Sequence, residues 1–327
     1  MASQQQLKGR IGSVKNTRQI TKAMELVSAS KMRKAQDNAF RGRDYAQLAQ
    51  QLLSRLRELT DVSKHPLFEV REQTNARLHV VLTSDRGLAG AYNSNVLKTF
   101  AREVQQDRDA NIKSYVITIG RQGSNFAGKL EHVESLGAYA EFPEHPTAND
   151  LRPILNVVVK SFLQGAPKKI VDDPDAIDIR KDDADQVNKE ATQADDLEHL
   201  DVPGVDYVDV IFTDFKSSLV QEVSSVRLLP AAFAEEQISS DLEQATFEPS
   251  PAAVLESVTQ RLVESQLYQA FLESMASEQS SRMLAMKNAS DNAGDIIDDL
   301  TLAYNTARQA AITQELAEIT GGAEAIK

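Results

Sequence analysis

The pattern of hydrophobic and polar positions divides the chain into two helical ends and a β-rich middle. Residues 4 to about 58 contain no proline and are rich in Ala, Leu, Gln, Lys and Arg, which favour helix. Within them a mostly apolar or small set recurs in alternating steps of four and three, which is typical of a coiled-coil seam. Its register is shared with a neighbouring stripe of Ile20, Met24 and Val27. The members of the seam are Leu7, Ile11, Val14, Arg18, Thr21, Glu25, Ser28, Met32, Ala35 and Ala39.

The C-terminal end repeats this pattern. After Pro251 there is no further proline, Ser250 is placed to cap a helix, and residues 254 to about 319 favour helix with Gly294 as the one interruption. At about 1.5 Å per residue the two helices would extend roughly 80 Å and 100 Å, which is too long for a small globular core. We therefore predict that the two ends pair as a long antiparallel coiled coil that projects from the rest of the chain.

The middle of the chain predicts an α/β fold. Residues 78–83 and 115–119 are short β-rich runs on either side of the helix-like segment 94–104, and this βαβ order indicates a parallel sheet. A helix over 151–163 precedes two further β-rich runs, 207–215 and 220–229, whose close spacing predicts a hairpin at the sheet edge. The fold class is thus a terminal coiled coil with an inserted α/β, Rossmann-like domain.

These elements predict three parts: an N-terminal coiled-coil helix (1–65), an α/β domain (66–249) and a C-terminal coiled-coil helix (250–327). The α/β domain contains an acidic insertion at 167–204, which holds twelve Asp or Glu against five Lys or Arg and so carries a charge of −7. We expect this insertion to be solvated and disordered or loosely helical.

Charge is distributed unevenly. The chain carries −12 overall, yet residues 1–43 hold ten Lys or Arg against two acids, a net charge of +8. A basic helix in an acidic chain fits a nucleic-acid arm, a helix on an anionic membrane, or a surface that turns inside a partner of complementary charge. The lack of interleaved aromatic residues in this segment argues against nucleic acid.

Few residues suggest chemistry of their own. The chain has no cysteine, which excludes disulfides, thiolate metal sites and cysteine nucleophiles. Its first residues lack the apolar core of a signal peptide and no stretch approaches the roughly 20 apolar residues of a membrane span, so we expect neither. The loop SDRGLAGAYN (84–93) lies between a strand and a helix, where glycines can cradle phosphate, but it lacks the spacing of a phosphate-binding motif. The five histidines and the carboxylates Asp295, Asp298 and Asp299 show no metal-ligand spacing. We predict no catalytic, cofactor-binding or metal site, and keep an α/β nucleotide-binding enzyme as the alternative.

Three motifs carry a family resemblance. They are ITKAMELVSASKMRKAQ (20–36), TSDRGLAGAYN (83–93) and the segment that begins ASEQSSRMLAMKNASDNAG at Ala276 and runs to residue 325. In this order and position they resemble the gamma subunit of F-type ATP synthases, of the bacterial type. The resemblance covers nearly the whole chain except the acidic insertion.

The resemblance implies a non-catalytic rotor shaft that couples rotation, driven by proton flow through a c-ring, to ATP synthesis, and that regulates ATPase activity and proton flow. The implied partners are a ring of three alpha and three beta subunits, the epsilon subunit and the c-ring. No cofactor and no nucleic acid is implied. The implied location is peripheral, on the cytoplasmic face of the cell membrane, with membrane association only through the complex.

The resemblance also implies interface residues. Met24 matches a family methionine near the contact loop of the catalytic head, and Lys22 lies beside it on the basic face, which would form an electrostatic bearing with Arg33 and Lys34. A second group, at the C-terminal positions that face the bearing, comprises Arg308, Gln309, Thr313 and Glu318. Phe247 and Glu248 resemble an aromatic and acidic pair near the c-ring. For the acidic insertion we expect either a contact with the peripheral side of the complex or weak inhibition of ATP hydrolysis.

Overall fold

The computed structural model describes residues 4–59, 65–71, 73–143, 146–165, 202–232 and 250–325. Its elements begin and end in two very long helices, with a five-stranded sheet between them. In chain order they are α1 (Gln4–Leu59), a 3-10 turn (Pro66–Phe68), β1 (Ala76–Leu82), α2 (Tyr92–Asp109), β2 (Lys113–Ile119), α3 (Arg121–Ala127), β3 (Val133–Tyr139), α4 (Ala148–Gly165), β4 (Tyr207–Phe215), β5 (Gln221–Leu229) and α5 (Pro251–Ala325).

The two terminal helices pack against each other in antiparallel orientation, as predicted. Near one end of the pair the Gln4 Nε2 donates to the Ala307 carbonyl at 3.3 Å, and near the other the Gln269 Nε2 donates to the Ala39 carbonyl at 3.1 Å. α1 has 56 residues and α5 has 75, which correspond to about 84 Å and 112 Å. Because Ala307 lies opposite the first described residue of α1, residues 308–325 extend roughly 27 Å beyond it as a single helix.

The seam between the two helices differs in part from its prediction. Thr21, Ser28, Met32, Ala35 and Ala39 are buried as expected. The neighbouring stripe of Ile20, Met24 and Val27 does not share the seam, because Ile20 is 62% exposed and Val27 is 56% exposed, while Met24 is half-buried. The seam therefore depends on small side chains, which let the two helices approach closely, and leaves larger apolar groups on the outer face of α1.

The seam prediction also placed Arg18 between the helices, but its side chain is exposed and lies across α5 at Gly294. The helix continues through Gly294 without interruption.

The sheet has the strand order β3-β2-β1-β4-β5. β3, β2, β1 and β4 run parallel, and β5 pairs antiparallel with β4 as the predicted edge hairpin. The sequence analysis did not predict α3 or β3. β3 is the other edge strand and is only half-buried, so it lacks the continuous apolar run that marks a central parallel strand.

Alternate residues of each strand face two different cores. One face packs against α4, the end of α1 and the beginning of α5, and its core includes Leu53, Val80, Phe162 and Leu262. The opposite face packs against α2 and α3 through a smaller core that includes Val81 and Phe100. The base of the helical pair is thus built into the larger core of the α/β region, by which we mean β1–β5 with α2–α4. We retain the division into three parts as a proposal.

The acidic insertion lies almost entirely outside the described residues, but the chain on either side of it forms a closed neck. The Arg71 guanidinium stacks on Phe162, with its carbon 4.4 Å from the ring centre, and donates to the Phe162 and Val205 carbonyls. A Cβ at Gly204 would lie 2.7 Å from the Gly165 Cα, which excludes any other residue unless the backbone shifts. The segment between these two glycines therefore leaves and re-enters the fold at one point.

We expect that replacing residues 167–201 with a four-residue Gly-Ser linker leaves the fold intact, because this deletion keeps Val202, which is buried in the larger core. Because the neck is closed by Arg71 and by backbone contact, shortening the loop only reduces its closure entropy, and stability should be unchanged or raised by up to about 2 kcal/mol. Thermal unfolding of the shortened chain measures this. The control is the full-length Gly204→Leu variant, which should lower the unfolding temperature; a loss of stability in the shortened chain alone would contradict the closed neck.

Candidate functional site

The first group of predicted interface residues lies on the outer face of α1. Lys22 is exposed and forms an ion pair with the Glu25 Oε2 at 2.9 Å, one helical turn away. Met24 is half-buried, and Arg33 and Lys34 are exposed. The three cations of the basic face are therefore exposed on the surface of α1.

The second group lies on the part of α5 that extends beyond α1. Arg308, Gln309, Thr313 and Glu318 are all exposed, and the Thr313 Oγ1 donates back to the Gln309 carbonyl at 2.9 Å. The helix pairing puts Lys22 opposite about residue 289 of α5, so Thr313 lies roughly 36 Å further along the shaft. The structure thus separates the two predicted groups along the axis. The third predicted pair, Phe247 and Glu248, lies outside the described residues.

The extension of α5 also exposes large apolar side chains that the sequence analysis did not single out as a site. Ile312, Leu316 and Ile319 are between 49% and 68% exposed. Exposed apolar groups grouped on a single unpaired helix are typical of a surface that a partner covers. Their spacing of four and three residues along α5 was the available signal.

The α/β region joins the shaft through the loop 84–93, which was the candidate phosphate loop. Arg282 on α5 donates to the Arg86 carbonyl through its Nη2 at 3.3 Å and approaches the Gly87 carbonyl through its Nε at 3.5 Å. On the same helix the Glu278 Oε1 lies 2.7 Å from the Arg282 Nη1. The loop therefore presents carbonyl oxygens to a guanidinium, which is the opposite polarity from a phosphate cradle.

The first residue of α2 adds a further contact between the α/β region and α5. The Tyr92 hydroxyl lies 2.6 Å from the Ser274 Oγ, and both side chains are buried. Burial raises the pKa of Tyr92 far above its usual range, so the hydroxyl stays protonated and can donate. Burial, with the charge of Asp85 as a further cause, also raises the pKa of Glu278, against the lowering effect of Arg282 and Lys31. Lys31 belongs to α1, so charges from both helices and from the loop meet here.

Two serines in the same stretch of α5 bind the hairpin of β4 and β5. The Ser277 Oγ donates to the Thr213 carbonyl at 3.1 Å, and the Ser280 Oγ donates to the Ser218 carbonyl at 2.7 Å. On the side facing α1, Ala276 is fully buried in a small cluster with Ala35 and Phe215. The segment 274–285 of α5 is thus held between α1 and the sheet, and we call this segment with its contacts the joint.

The remaining polar candidates are the aspartates of α5 and the histidines. Asp295, Asp298 and Asp299 are exposed along α5, and the described residues contain no group of His, Asp and Glu arranged to hold a metal ion. Among the histidines, His79 is fully buried within β1 between two carboxylates. The sequence analysis gave His79 no role, because the histidines show no metal-ligand spacing; the available signal was a titratable residue in the middle of an apolar strand. No helix in the described part of the chain is long and apolar enough to cross a membrane.

Comparisons with known proteins agree over the full length of the chain. The family model described as ATP synthase matches residues 3–326. The chain is 36% identical to the ATP synthase gamma chain of Stenotrophomonas maltophilia (strain R551-3) over 326 residues, which cover all of both chains. It is also 36% identical to the ATP synthase gamma chain of Xanthomonas axonopodis pv. citri over the same span.

Solved structures share the fold at lower sequence identity. The central stalk and c-ring structure of the Tetrahymena thermophila mitochondrial ATP synthase contains a chain 24% identical, with a TM-score of 0.53, over 83% of this chain and 99% of that one. The Euglena gracilis mitochondrial ATP synthase, solved as OSCP/F1/c-ring in rotational state 3, contains one 15% identical with a TM-score of 0.60, over 98% and 93%. The long helical pair with an α/β region is therefore an arrangement found in these assemblies.

Proposed function

The chain belongs to the ATP synthase gamma-chain family, and we propose from this that it is the central stalk of an F-type ATP synthase. In that role it couples rotation, driven by proton flow through a c-ring, to ATP synthesis in the surrounding alpha and beta subunits. The chain itself supplies no catalytic group; it regulates ATP hydrolysis and proton flow by its orientation. A rotating shaft can do this only if its orientations bind the states of the catalytic ring unequally.

The helical pair is the observation that carries the proposal. α1 and α5 pack along a seam of small residues, and α5 continues alone beyond α1. A two-helix shaft that tapers to one helix is long, stiff and asymmetric. At its other end the joint fixes it to the α/β region through Arg282, Tyr92 and the serines of α5. Such a structure transmits torque from the α/β region to the tip.

The proposed partners contact different parts of the chain. The ring of three alpha and three beta subunits surrounds the shaft, with Lys22 and Met24 lower down and the group from Arg308 to Glu318 near the tip. The c-ring and the epsilon subunit bind around the α/β region, and Phe247 and Glu248 are proposed for the c-ring contact. The complex places the chain on the cytoplasmic face of the cell membrane as a peripheral subunit.

The absence of cysteine from the sequence makes a direct test possible, since any introduced cysteine is unique. We expect Thr313→Cys to react with a thiol reagent in the free chain and to be protected after assembly with alpha and beta subunits. Gln106→Cys, exposed on the outer side of α2, is the control and should react equally in both states. Equal reactivity of Thr313→Cys in both states, or failure of the chain to co-purify with a nucleotide-hydrolysing ring, would refute the proposal.

A nucleotide titration of the free chain tests the alternative enzyme. Binding of ATP or ADP that Arg86→Ala or Asn93→Ala abolishes would favour a nucleotide site at the loop 84–93. We expect no such binding, because Arg282 already contacts the loop carbonyls and the Asn93 Oδ1 accepts from the Ser84 backbone N–H at 3.0 Å. Salt-sensitive binding of DNA or RNA would instead favour a nucleic-acid binder.

Neutralising the basic face tests the bearing. We expect the triple variant Lys22→Gln, Arg33→Gln, Lys34→Gln to lower proton-driven ATP synthesis roughly threefold to tenfold, since exposed charges contribute about 0.2 to 0.5 kcal/mol each. The measurement is ATP synthesis in vesicles that contain the assembled enzyme. The matched control neutralises three exposed cations of the α/β region, Lys98, Arg102 and Lys129. If both variants retain full synthesis, the electrostatic bearing is wrong.

For the acidic insertion we propose a contact on the outer side of the complex or weak inhibition of ATP hydrolysis. The chain shortened at the neck between Gly165 and Gly204 provides the test after assembly. Faster hydrolysis with unchanged synthesis indicates inhibition, and weaker retention of another subunit indicates a contact. Identical rates and composition would leave the insertion as a spacer only.

A further inference from the structure

A group of charged side chains lies between the sheet and α2, on the face of the sheet away from the shaft; its centre is buried and its outer edge reaches solvent. At its centre is His79, fully buried on β1. The His79 Nε2 is hydrogen-bonded to the Asp107 Oδ2 at 2.8 Å. Its Nδ1 lies 3.5 Å from the Glu103 Oε2, close enough for an ion pair, but neither of these two atoms has a hydrogen-bond partner among the described residues. The other charged members, from β1, β4 and β5 respectively, are Arg77, Asp209 and Arg227.

The periodicity of two in strand β1 and the spacing of three and four residues in helix α2 bring these groups to one interface. Alternate residues of β1 face α2, so His79 shares that face with Val81. On α2 the same face is formed by residues three and four apart, so Phe100, Glu103 and Asp107 follow one another along it. The Phe100 ring meets the His79 ring edge-on with centres 5.6 Å apart. An apolar stripe at the beginning of α2 thus becomes an acidic stripe in its second half.

The remaining contacts show how the charges balance. The Arg77 Nη1 lies 3.0 Å from the Asp107 Oδ1 and its Nε lies 3.5 Å from the Asp209 Oδ2. The Arg227 Nε lies 2.9 Å from the Asp209 Oδ1. Two guanidinium groups therefore face three carboxylates, those of Glu103, Asp107 and Asp209. The group is neutral only when His79 carries a proton on both ring nitrogens.

We propose that His79 forms a protonation-dependent lock that holds the second half of α2 on the sheet, closed with the imidazolium and released with the neutral ring. An imidazolium carries an N–H on both nitrogens, so it is hydrogen-bonded to Asp107 and attracts the Glu103 carboxylate by its charge across 3.5 Å. A neutral ring can keep its hydrogen bond to Asp107 but no longer carries the charge that attracts Glu103. The Ser114 Oγ donates to the Asp107 Oδ2 at 3.1 Å in either state of the ring. Of the two carboxylates, Glu103 therefore loses more of its stabilising interactions when the ring becomes neutral.

The direction of the titration agrees with this geometry. Burial alone lowers the pKa of His79, but the carboxylates of Asp107 and Glu103 overcome burial and raise it above its usual 6.5. Burial alone raises the pKa of Glu103, but His79, Ser225 and Arg77 lower it, so this carboxylate stays ionised. A histidine whose folded pKa is raised contributes stability that is complete below about pH 6.5 and is lost as pH rises through the folded pKa. The lock therefore opens on the alkaline side.

The lock and the joint lie at opposite ends of the same helix. α2 begins at Tyr92, whose hydroxyl contacts α5, and ends two residues beyond Asp107. Opening of the lock frees the end of α2 that is remote from the shaft. The inference concerns the α/β region alone, and it stands whether or not the shaft rotates.

The first test is an NMR titration of the histidine rings in the full chain, with the His79 signal assigned from its loss in His79→Gln. We expect the His79 pKa to lie above the usual 6.5, and we expect Glu103→Gln to shift the His79 titration to lower pH. A His79 pKa at or below 6.5, or no shift in Glu103→Gln, would overturn the lock.

The second test is amide hydrogen exchange of residues 100–109 between pH 6 and 9, corrected for the intrinsic rate of exchange. Because one proton is linked to opening, the opening constant should rise by up to tenfold per pH unit above the His79 pKa. We expect this dependence to vanish in His79→Gln and to persist in the control His132→Gln. A flat profile in the unmodified chain, or the same slope in His79→Gln, would show that the histidine is only structural.

Discussion

Replacing Arg282 with Ala is expected to destabilise the joint by about 3 kcal/mol, because it leaves the largely buried Glu278 carboxylate without its guanidinium. The same change removes the donor to the Arg86 carbonyl. We expect the loop 84–93 to exchange its amide protons faster and the chain to unfold at a lower temperature. In the assembled enzyme we expect ATP hydrolysis to persist while proton pumping falls, since the α/β region would no longer follow the shaft faithfully.

The matched control is Arg261→Ala on the same helix. Arg261 pairs with the Glu264 Oε2 at 3.2 Å, also one turn away, but its side chain is 62% exposed. Because exposed ion pairs contribute little, this variant should lose less than about 1 kcal/mol. Equal losses in the two variants would contradict the role assigned to Arg282. The double variant Arg282→Ala, Glu278→Ala should recover part of the loss, since it leaves no unpaired charge.

The pH dependence of Arg282→Ala gives an independent readout. The Glu278 pKa is already raised by burial, and removal of the nearby cation raises it further. A carboxyl with a raised folded pKa destabilises the fold above that pKa, and the destabilisation disappears as pH falls toward the unfolded value near 4.5. The difference in stability between Arg282→Ala and the unmodified chain should therefore shrink on acidification.

The sequence predicted the elements that carry strong periodicity. The two terminal helices and strands β1, β2, β4 and β5 were all found near their predicted bounds, because long apolar stripes and continuous β-rich runs are visible without knowledge of their neighbours. β3 was missed because an edge strand is half-solvated and its polar residues weaken the pattern. α3 was missed because its short sequence, RQGSNFA, contains a glycine, which favours a turn over a helix.

The polar contacts were less accessible to sequence reasoning. The Arg86 carbonyl bound by Arg282, the Val205 carbonyl bound by Arg71 and the Asp107 carboxylate bound by His79 each lie tens of residues or more from their partner in sequence, so only the fold brings these pairs together. The outward position of Ile20 and Val27 has a similar cause, since the exact face of α1 that meets α5 is set by the small residues of both helices. For the loop 84–93, glycine content indicated a tight turn but not that its carbonyls, rather than its N–H groups, would face a partner.

The largest effect on the shaft is expected from Ala276→Glu. Ala276 is fully buried between Ala35 of α1 and Phe215 of β4, so a carboxylate there would be enclosed without a partner. Enclosing an unpaired carboxylate costs about 4 kcal/mol or more, and the cost is relieved either by separation of the helices or by protonation. We expect a large fall in unfolding temperature at neutral pH and loss of coupling between hydrolysis and proton pumping in the assembled enzyme.

Two variants separate charge from size in this prediction. Ala276→Leu adds volume without charge and should cost about 1 to 3 kcal/mol at every pH, as overpacking does. Ala276→Glu should instead recover stability as pH falls toward the unfolded carboxyl pKa near 4.3, because the enclosed carboxyl has a raised pKa and loses its charge first. Ala303→Glu, on the exposed surface of the same helix, controls for helix propensity and should change stability by less than about 0.5 kcal/mol. If Ala276→Glu resembles Ala303→Glu, the two helices and the sheet are not packed together at this level, and the α/β region cannot turn the shaft through this contact.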